Sequence, residues 1–189
     1  TVRDWFFFLI FWEAMTLLSY FLVIFEKENL VHLRAGLKYL IVTHVATIFM
    51  LVAAVVLWHT ARPHSFSFTA AGQAMAELAG SAPWALHALL ALWFIGFATK
   101  AGILPFGDWL PDAYPAAPSG ATAAFAGSMT KLGVYGLLRV FVDLMPAEAR
   151  FQMAWGIAIA LFGAGSIFVG TLTALRQDDA KRMMSFHVI

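Results

Sequence analysis

Three ionisable side chains stand inside runs that are otherwise apolar: Glu13 in FLIFWEAMTLLSYFLVIF, Lys100 in ATKAGILPF and Lys131 in AFAGSMTKLGVYGLL. A carboxylate and two ammonium groups are groups that can take up and release protons. A charge at the centre of a bilayer costs about 2.5–3.5 kcal/mol on insertion scales, so the three together need a compensating arrangement. Long side chains near helix ends escape this cost by snorkelling; that suits Lys38, whereas these three lie near the middle of their runs. Structural ion pairing is one explanation and a pathway for protons or other cations is the other. The three together favour the pathway.

Around Lys100 the sequence also breaks its helix. Pro105 has no amide hydrogen, so the carbonyl of Ala101 loses its helical partner. The proline pushes Leu104 out of helical geometry, and Gly102 accepts whatever dihedrals the break requires. The first half-helix then ends in orphan carbonyls and the negative end of its dipole beside Lys100. Broken backbone at membrane depth is tolerated inside protein or beside a water-filled cavity, and discontinuous helices mark ion sites in transporters. A proline kink without a transport role is the alternative. Desolvation weakens a lysine's hold on its proton and a nearby carboxylate strengthens it. If Glu13 pairs with Lys100, opening that pair lets Lys100 release its proton, and Lys131 acts as relay through like-charge repulsion.

Other candidates carry less weight. His44 could extend a proton path or be a buried histidine bonded to a neighbouring helix, and Lys38 is a further relay candidate. His187 follows DDAKRMMSF and is a relay candidate in a longer chain. Asp112 in WLPDA is read as a turn residue, either solvated or ordering a loop that couples to the path. His59, His64 and His87 have no metal-ligand spacing, so no metal is assigned. The glycines are scattered through helices, where packing explains them, and no phosphate loop or nucleophile–base pair stands out. The chain is not expected to be catalytic by itself.

The elements that must position these groups follow from composition. Of 189 residues, 61% are hydrophobic and 12% charged, against about 25% charged in a soluble domain, and the mean hydropathy is +0.79. A domain this small cannot hide so much apolar surface in its core, so the expected solvent is lipid. A net charge of +1 argues against a nucleic-acid partner. With no cysteine, the chain supplies no thiolate ligands for an iron–sulfur cluster, and no cofactor is assigned to it.

About 20 apolar residues cross the hydrocarbon. Spans are expected at 5–25, 37–58, 84–109 (broken near 101–105), 119–142 and 151–175, with a sixth starting near 180. The result is an all-α, polytopic transmembrane bundle with one discontinuous helix. The small residues of the last three spans favour close helix packing. Phe68, Ala71, Met75 and Leu78 fit either an interfacial amphipathic helix or a loop, and Ser119 is the expected N-cap after the proline-rich WLPDAYPAAPSG. Lys27, Arg34, Arg176, Lys181 and Arg182 fall on one side if the spans alternate; Arg3, Arg62 and Arg150 fall on the other, with Arg139 near it. The first group is expected in the cytoplasm, so the first span runs inward. TVRDWFFFLIFW has no features of a signal peptide, and KRMMSFHVI stops as an apolar run begins; both ends are expected to be cuts in a longer protein.

The stretches FWEAMTLLSYFLVIFE, LKYLIVTHVAT, ATKAGILPFGDWLPDAYPAAPSGATAAFAGSMTKLGVYGLLRVF and RQDDAKRMMSFHVI resemble the antiporter-like subunit family. Its members are the large membrane subunits of respiratory complex I, the Mrp cation/proton antiporters and the energy-converting hydrogenases. The resemblance implies roughly helices five to nine, and the start of ten, of a longer subunit with an inverted-repeat fold. It equates Glu13 with the family's fifth-helix glutamate, Lys100 with the lysine of the broken seventh helix and Lys131 with the eighth-helix lysine. Some members carry histidine at the last position. The central stretch resembles the hydrogenase and Mrp branches more than the quinone-reducing complex. The implied function is translocation of protons, or of sodium, in the inner (cytoplasmic) membrane of a cell, with an organellar inner membrane as the alternative, other membrane subunits as partners and the driving force supplied by them. The competing reading is a membrane subunit of a quinone- or hydrogenase-linked oxidoreductase with a structural or electron-coupling role. It is weakened by the lack of cysteine and of paired axial histidines.

Overall fold

The computed structural model describes residues 3–189, and within them the regular elements are helices. They are α1 (Trp5–Val23), α2 (Leu30–Thr60), α3 (Phe68–Ser81), α4 (Pro83–Ala101), α5 (Leu110–Ala116), α6 (Ser119–Ala124), α7 (Thr130–Leu138), α8 (Ala149–Ala174) and α9 (Ala180–Val188). Two π-helical stretches, Phe125–Met129 and Arg139–Leu144, flank α7, so residues 119–144 form one continuous but unevenly wound helix. The chain is an all-α membrane bundle with one discontinuous helix. Helices α1, α2, α4 and α8 are each long and apolar enough to cross a membrane.

Local chemistry sets the ends. Asp4 caps α1 by accepting from the Phe6 and Phe7 amides at 2.8 and 3.4 Å. Asn29 caps α2, Ser67 caps α3 and Asp179 caps α9 in the same way, each satisfying an amide that the first turn leaves orphaned. Backbone bonds from Trp5 to the Phe66 carbonyl (2.9 Å) and from Phe68 to the Arg3 carbonyl (3.1 Å) tie the starts of α1 and α3 together.

The structure departs from the sequence expectations at several points. Helix α2 begins at Leu30, two turns before the apolar run at 37, because the Asn29 cap and the mixed VHLRAG segment sustain it. Phe68, Ala71 and Met75 lie on a helix, buried, and Leu78 packs partly against the core. WLPDAYPAAPSG is no plain turn: it contains α5, with Pro111 in the first turn, where its missing amide is harmless. Ser119 is not an N-cap. The entry residue is Pro118 (φ −54°, ψ 144°), and Ser119 is already helical, with no side-chain cap bond.

Helix α2 lies between α1 and α4, and α4 packs in turn on α7. Helix α3 covers α2, α4 and residues 139–144, while at the other end α5 packs on α2 and α9 packs on α5 and α8. An aromatic wall fills the angle between α1 and α4: Trp5 on Trp93 at 4.2 Å between centroids, then Phe97 on both Trp93 and Trp12 at 5.5 Å. Missing side chains make the helix contacts close. A Cβ at Gly96 would strike the Met50 side chain, and one at Gly133 would strike the backbone of Ala101 and the Phe97 carbonyl. The second approach holds α7 directly against the last turn of α4.

Gly133→Ala is therefore expected to lower the Tm of the full-length subunit in its complex more than Gly96→Ala does. Met50 can swing aside, whereas backbone must move at Gly133; overpacking of this kind costs about 1–3 kcal/mol. Equal shifts would mean that the α4–α7 approach is not tight.

Candidate functional site

Lys100 occupies the last turn of α4 and is 1% exposed. Its Nζ donates to Thr16 Oγ1 on α1 at 2.9 Å and to Tyr39 OH on α2 at 3.0 Å. It also stands over the rings of Tyr39 and Trp12, 5.2 and 5.9 Å from their centroids, where the negative ring faces attract a cation. Thr16 lies about 16 Å along a 19-residue helix. The ammonium is thus level with the middle of α1, although its own helix stops one residue later.

That stop is built as follows. Gly102 ends α4 in the left-handed region (φ +89°), where its missing side chain removes the steric penalty. The Ala98 carbonyl accepts from both Gly102 (3.0 Å) and Ile103 (2.9 Å). The Thr99 carbonyl, left without a helical partner, accepts from the indole Nε1 of buried Trp109 at 2.8 Å. Pro105 follows and offers the Ala101 carbonyl no amide. The Leu104 amide is taken by Ser166 Oγ of α8 at 2.8 Å, a hydroxyl only 2% exposed. The break is thus a wired turn.

Glu13 does not ion-pair with Lys100. Its Oε2 lies 3.3 Å from Nε2 of His44, one helix away, because α1 directs Glu13 toward the middle of α2 and leaves Thr16, one turn further on, to meet Lys100. His44 Nδ1 contacts the Leu40 carbonyl at 3.0 Å. Neither buried carboxylate oxygen of Glu13 has a well-directed hydrogen bond among the described residues, so the group retains acceptor capacity in the interior.

Lys38 does not snorkel alone to the surface. Its Nζ meets Asp112 Oδ2 at 2.7 Å, Asp108 Oδ2 at 2.8 Å and the Asp108 carbonyl at 2.9 Å. All three of its donors are engaged. Asp112 is accordingly a partly buried ion-pair partner on α5. Lys131 is exposed on α7, on the far side from Gly133 and Gly136, which face α4. His187 is exposed on α9. The structure thus gathers Lys100 with Thr16 and Tyr39, Glu13 with His44, and Lys38 with Asp112, and leaves Lys131 and His187 apart. No group of three His, Asp or Glu among the described residues is placed to hold a metal ion.

Sequence reasoning missed Thr16, Ser19, Tyr39 and Asp108. A signal existed for two of them: Thr16 and Ser19 follow Glu13 at steps of three, the spacing of one helix face, and are the polar residues of that face.

The family described as NADH:quinone oxidoreductase/Mrp antiporter, TM, matches residues 2–189. Hydrogenase-4 component B of Escherichia coli (strain K12) is 33% identical over 184 residues, 97% of this chain and 26% of that protein. NADH-quinone oxidoreductase subunit M of Rickettsia prowazekii (strain Madrid E) is 33% identical over 186 residues, 96% of this chain and 35% of that one. Among solved structures, a chain of the membrane-bound sulfane sulfur reductase, an archaeal respiratory membrane complex, superposes with a TM-score of 0.86 at 25% identity, covering 100% of this chain and 37% of its own. A chain of the Mrp complex from Dietzia sp. DQ12-45-1b gives 0.79 at 25% identity, covering 98% and 33%. The chain spans about a quarter to a third of the length of these curated relatives.

Trp109→Phe keeps the buried ring and deletes the bond to the Thr99 carbonyl. An unsatisfied buried acceptor costs about 1–3 kcal/mol, so the Tm of the complex is expected to fall. An unchanged Tm would show that the end of α4 does not depend on that indole.

Proposed function

Because this chain belongs to the NADH:quinone oxidoreductase/Mrp antiporter membrane family, we propose that it carries one segment of a proton path within a longer subunit of a multisubunit complex. The observation that carries this reading is a lysine ammonium, 1% exposed at mid-depth, held by neutral hydroxyls and not by a carboxylate. A fixed structural charge would be stabilised best by a permanent counter-ion. A group that must gain and lose a proton is served better by partners that leave its charge uncommitted.

Lys100 is the proton carrier and Glu13 its movable counter-charge. Glu13 and Thr16 lie one turn apart on α1, so a carboxylate that leaves His44 has only that turn to cross to approach Nζ. Its approach stabilises the ammonium; its return to His44 removes that stabilisation and favours release. His44 lies at 3.3 Å from Glu13 and can exchange a proton with it. Lys131, on the outer face of α7, hands the proton to the part of the full-length subunit beyond this segment, and His187 belongs to the same continuation. The Lys38–Asp112–Asp108 cluster fixes the turn after α4 and couples its position to α2. The partners supply the driving force, the chain contributes no catalytic centre, and the membrane is the bacterial cytoplasmic one, with Lys38 toward the cytoplasm. The transported ion is the proton; a rate that depends on sodium concentration would assign cation exchange instead.

The test is proton transport by the full-length complex in liposomes, comparing wild type with Lys100→Met and Glu13→Gln. Both are expected to abolish transport while the complex still assembles. Wild-type rates in the assembled Lys100→Met complex would reduce the lysine to a structural charge and overturn the reading.

A further inference from the structure

Neither hydroxyl that meets Lys100 is free to give its own proton. Thr16 Oγ1 donates to the Trp12 carbonyl at 3.0 Å. Ser19 Oγ donates to the Met15 carbonyl at 2.8 Å, with the Thr16 carbonyl at 2.9 Å as second acceptor. A serine hydroxyl has a single proton; with that proton given to the α1 carbonyls, Ser19 is the acceptor in its 2.5 Å contact with Tyr39 OH. Tyr39 then gives its proton to Ser19 and accepts from Lys100. Its other neighbour, Met129 Sδ at 3.7 Å, is the weaker acceptor of the two, which favours this order. The donor sequence runs Lys100, Tyr39, Ser19, α1 carbonyl, through residues 0–4% exposed.

We propose that Tyr39 is the positioning residue that keeps Lys100 protonated while Glu13 is turned to His44, through the oriented hydroxyl chain Lys100–Tyr39–Ser19. The proposal rests on the reading of Lys100 as proton carrier. The chain favours one charge state. Either form can donate N–H bonds to Thr16 and Tyr39, but the ammonium's are charge-assisted and stronger, and a neutral amine's lone pair meets no donor while Tyr39 gives its proton to Ser19. The tyrosine thus holds the charge through the interval in which the carboxylate is elsewhere, and it does so without a counter-charge that would trap the proton.

Other titratable groups on the surrounding elements do not substitute for it. On α1, Glu13 faces His44 of α2. Lys38, next to Tyr39 on α2, is saturated by Asp108 and by Asp112 of α5. Tyr114 on α5 has no hydrogen bond from its buried hydroxyl among the described residues. Lys131 of α7 is on the far face from α4. No ion pair among the described residues includes Lys100.

The test is the pH profile of proton transport by the full-length complex in liposomes, for wild type, Tyr39→Phe, Ser19→Ala and Lys100→Met. Tyr39→Phe keeps the ring over the ammonium and deletes one hydrogen bond to a charged group, about a tenfold loss of proton affinity. The alkaline limb is expected about one pH unit lower than in wild type. Ser19→Ala, which never touches Lys100, is expected to move it the same way by less, because Tyr39 loses its acceptor. A Tyr39→Phe profile that superposes on wild type or moves to higher pH overturns the proposal. If that variant does not assemble, the direction of the Ser19→Ala shift decides in its place. Should Lys100→Met be inactive while both hydroxyl variants keep the wild-type profile, the proposal falls and the carrier reading stands. Wild-type transport by Lys100→Met removes both.

Discussion

Burying one ammonium at mid-membrane depth is the constraint on which this structure depends. Desolvating the charge without a carboxylate in contact demands that every available neutral attraction converge on it: two hydroxyl oxygens, two ring faces and the negative end of its own helix. Those groups come from three helices, so α1, α2 and α4 must meet at one level. Gly96 of α4, against Met50 and the Ala46 carbonyl of α2, and the alanine-rich face of α2 let the backbones approach that closely. The aromatic wall from Trp5 to Phe97 then keeps the angle between α1 and α4 filled, which leaves the ammonium no route outward along that side.

The helix break is the other half of the same arrangement. A continuous α4 would bury the carbonyls of its last turn in intrahelical bonds and carry its dipole end away from Lys100. Stopping at Gly102 keeps the negative end of the helix dipole in the turn that carries Lys100, and the cost of unpaired backbone is met locally by Trp109 for Thr99 and by Ser166 for Leu104. The following turn is held by Lys38 through two carboxylates. Since Lys38 and Tyr39 are adjacent on α2, one peptide unit joins the residue that fixes the turn to the residue that receives the lysine's proton bond.

The outward faces follow a different logic. Phe11, Leu18 and Phe21 of α1, Ile41 and Ile48 of α2 and Leu161 and Phe168 of α8 are exposed. In water such a surface would be prohibitive; against hydrocarbon, or against the further helices implied by relatives three to four times longer, it costs nothing. Lys131 stands on such a face of α7 and has no side-chain partner among the described residues.

Much was determined by the sequence alone. Apolar runs of membrane length dictate helices because lipid offers no partner for backbone amides. Gly102 and Pro105 dictate the break, and the quoted motifs dictate the family. Glu13, Lys100 and Lys131 announce themselves because a charge in an apolar run is costly and conspicuous. Which charge meets which group was decided only by the tertiary structure. Helix rotation and crossing place Glu13 against His44, give Lys100 to Thr16 and Tyr39, clamp Lys38 between Asp108 and Asp112, and turn Lys131 away. The local pattern spaces polar residues along one helix, but a contact between two helices depends on their relative rotation and height, which are set by small-residue packing and aromatic filling summed over the whole bundle. Threonine, serine and tyrosine are ordinary residues in a membrane helix; they become a site only when three helices bring them within 3 Å of the same buried atoms.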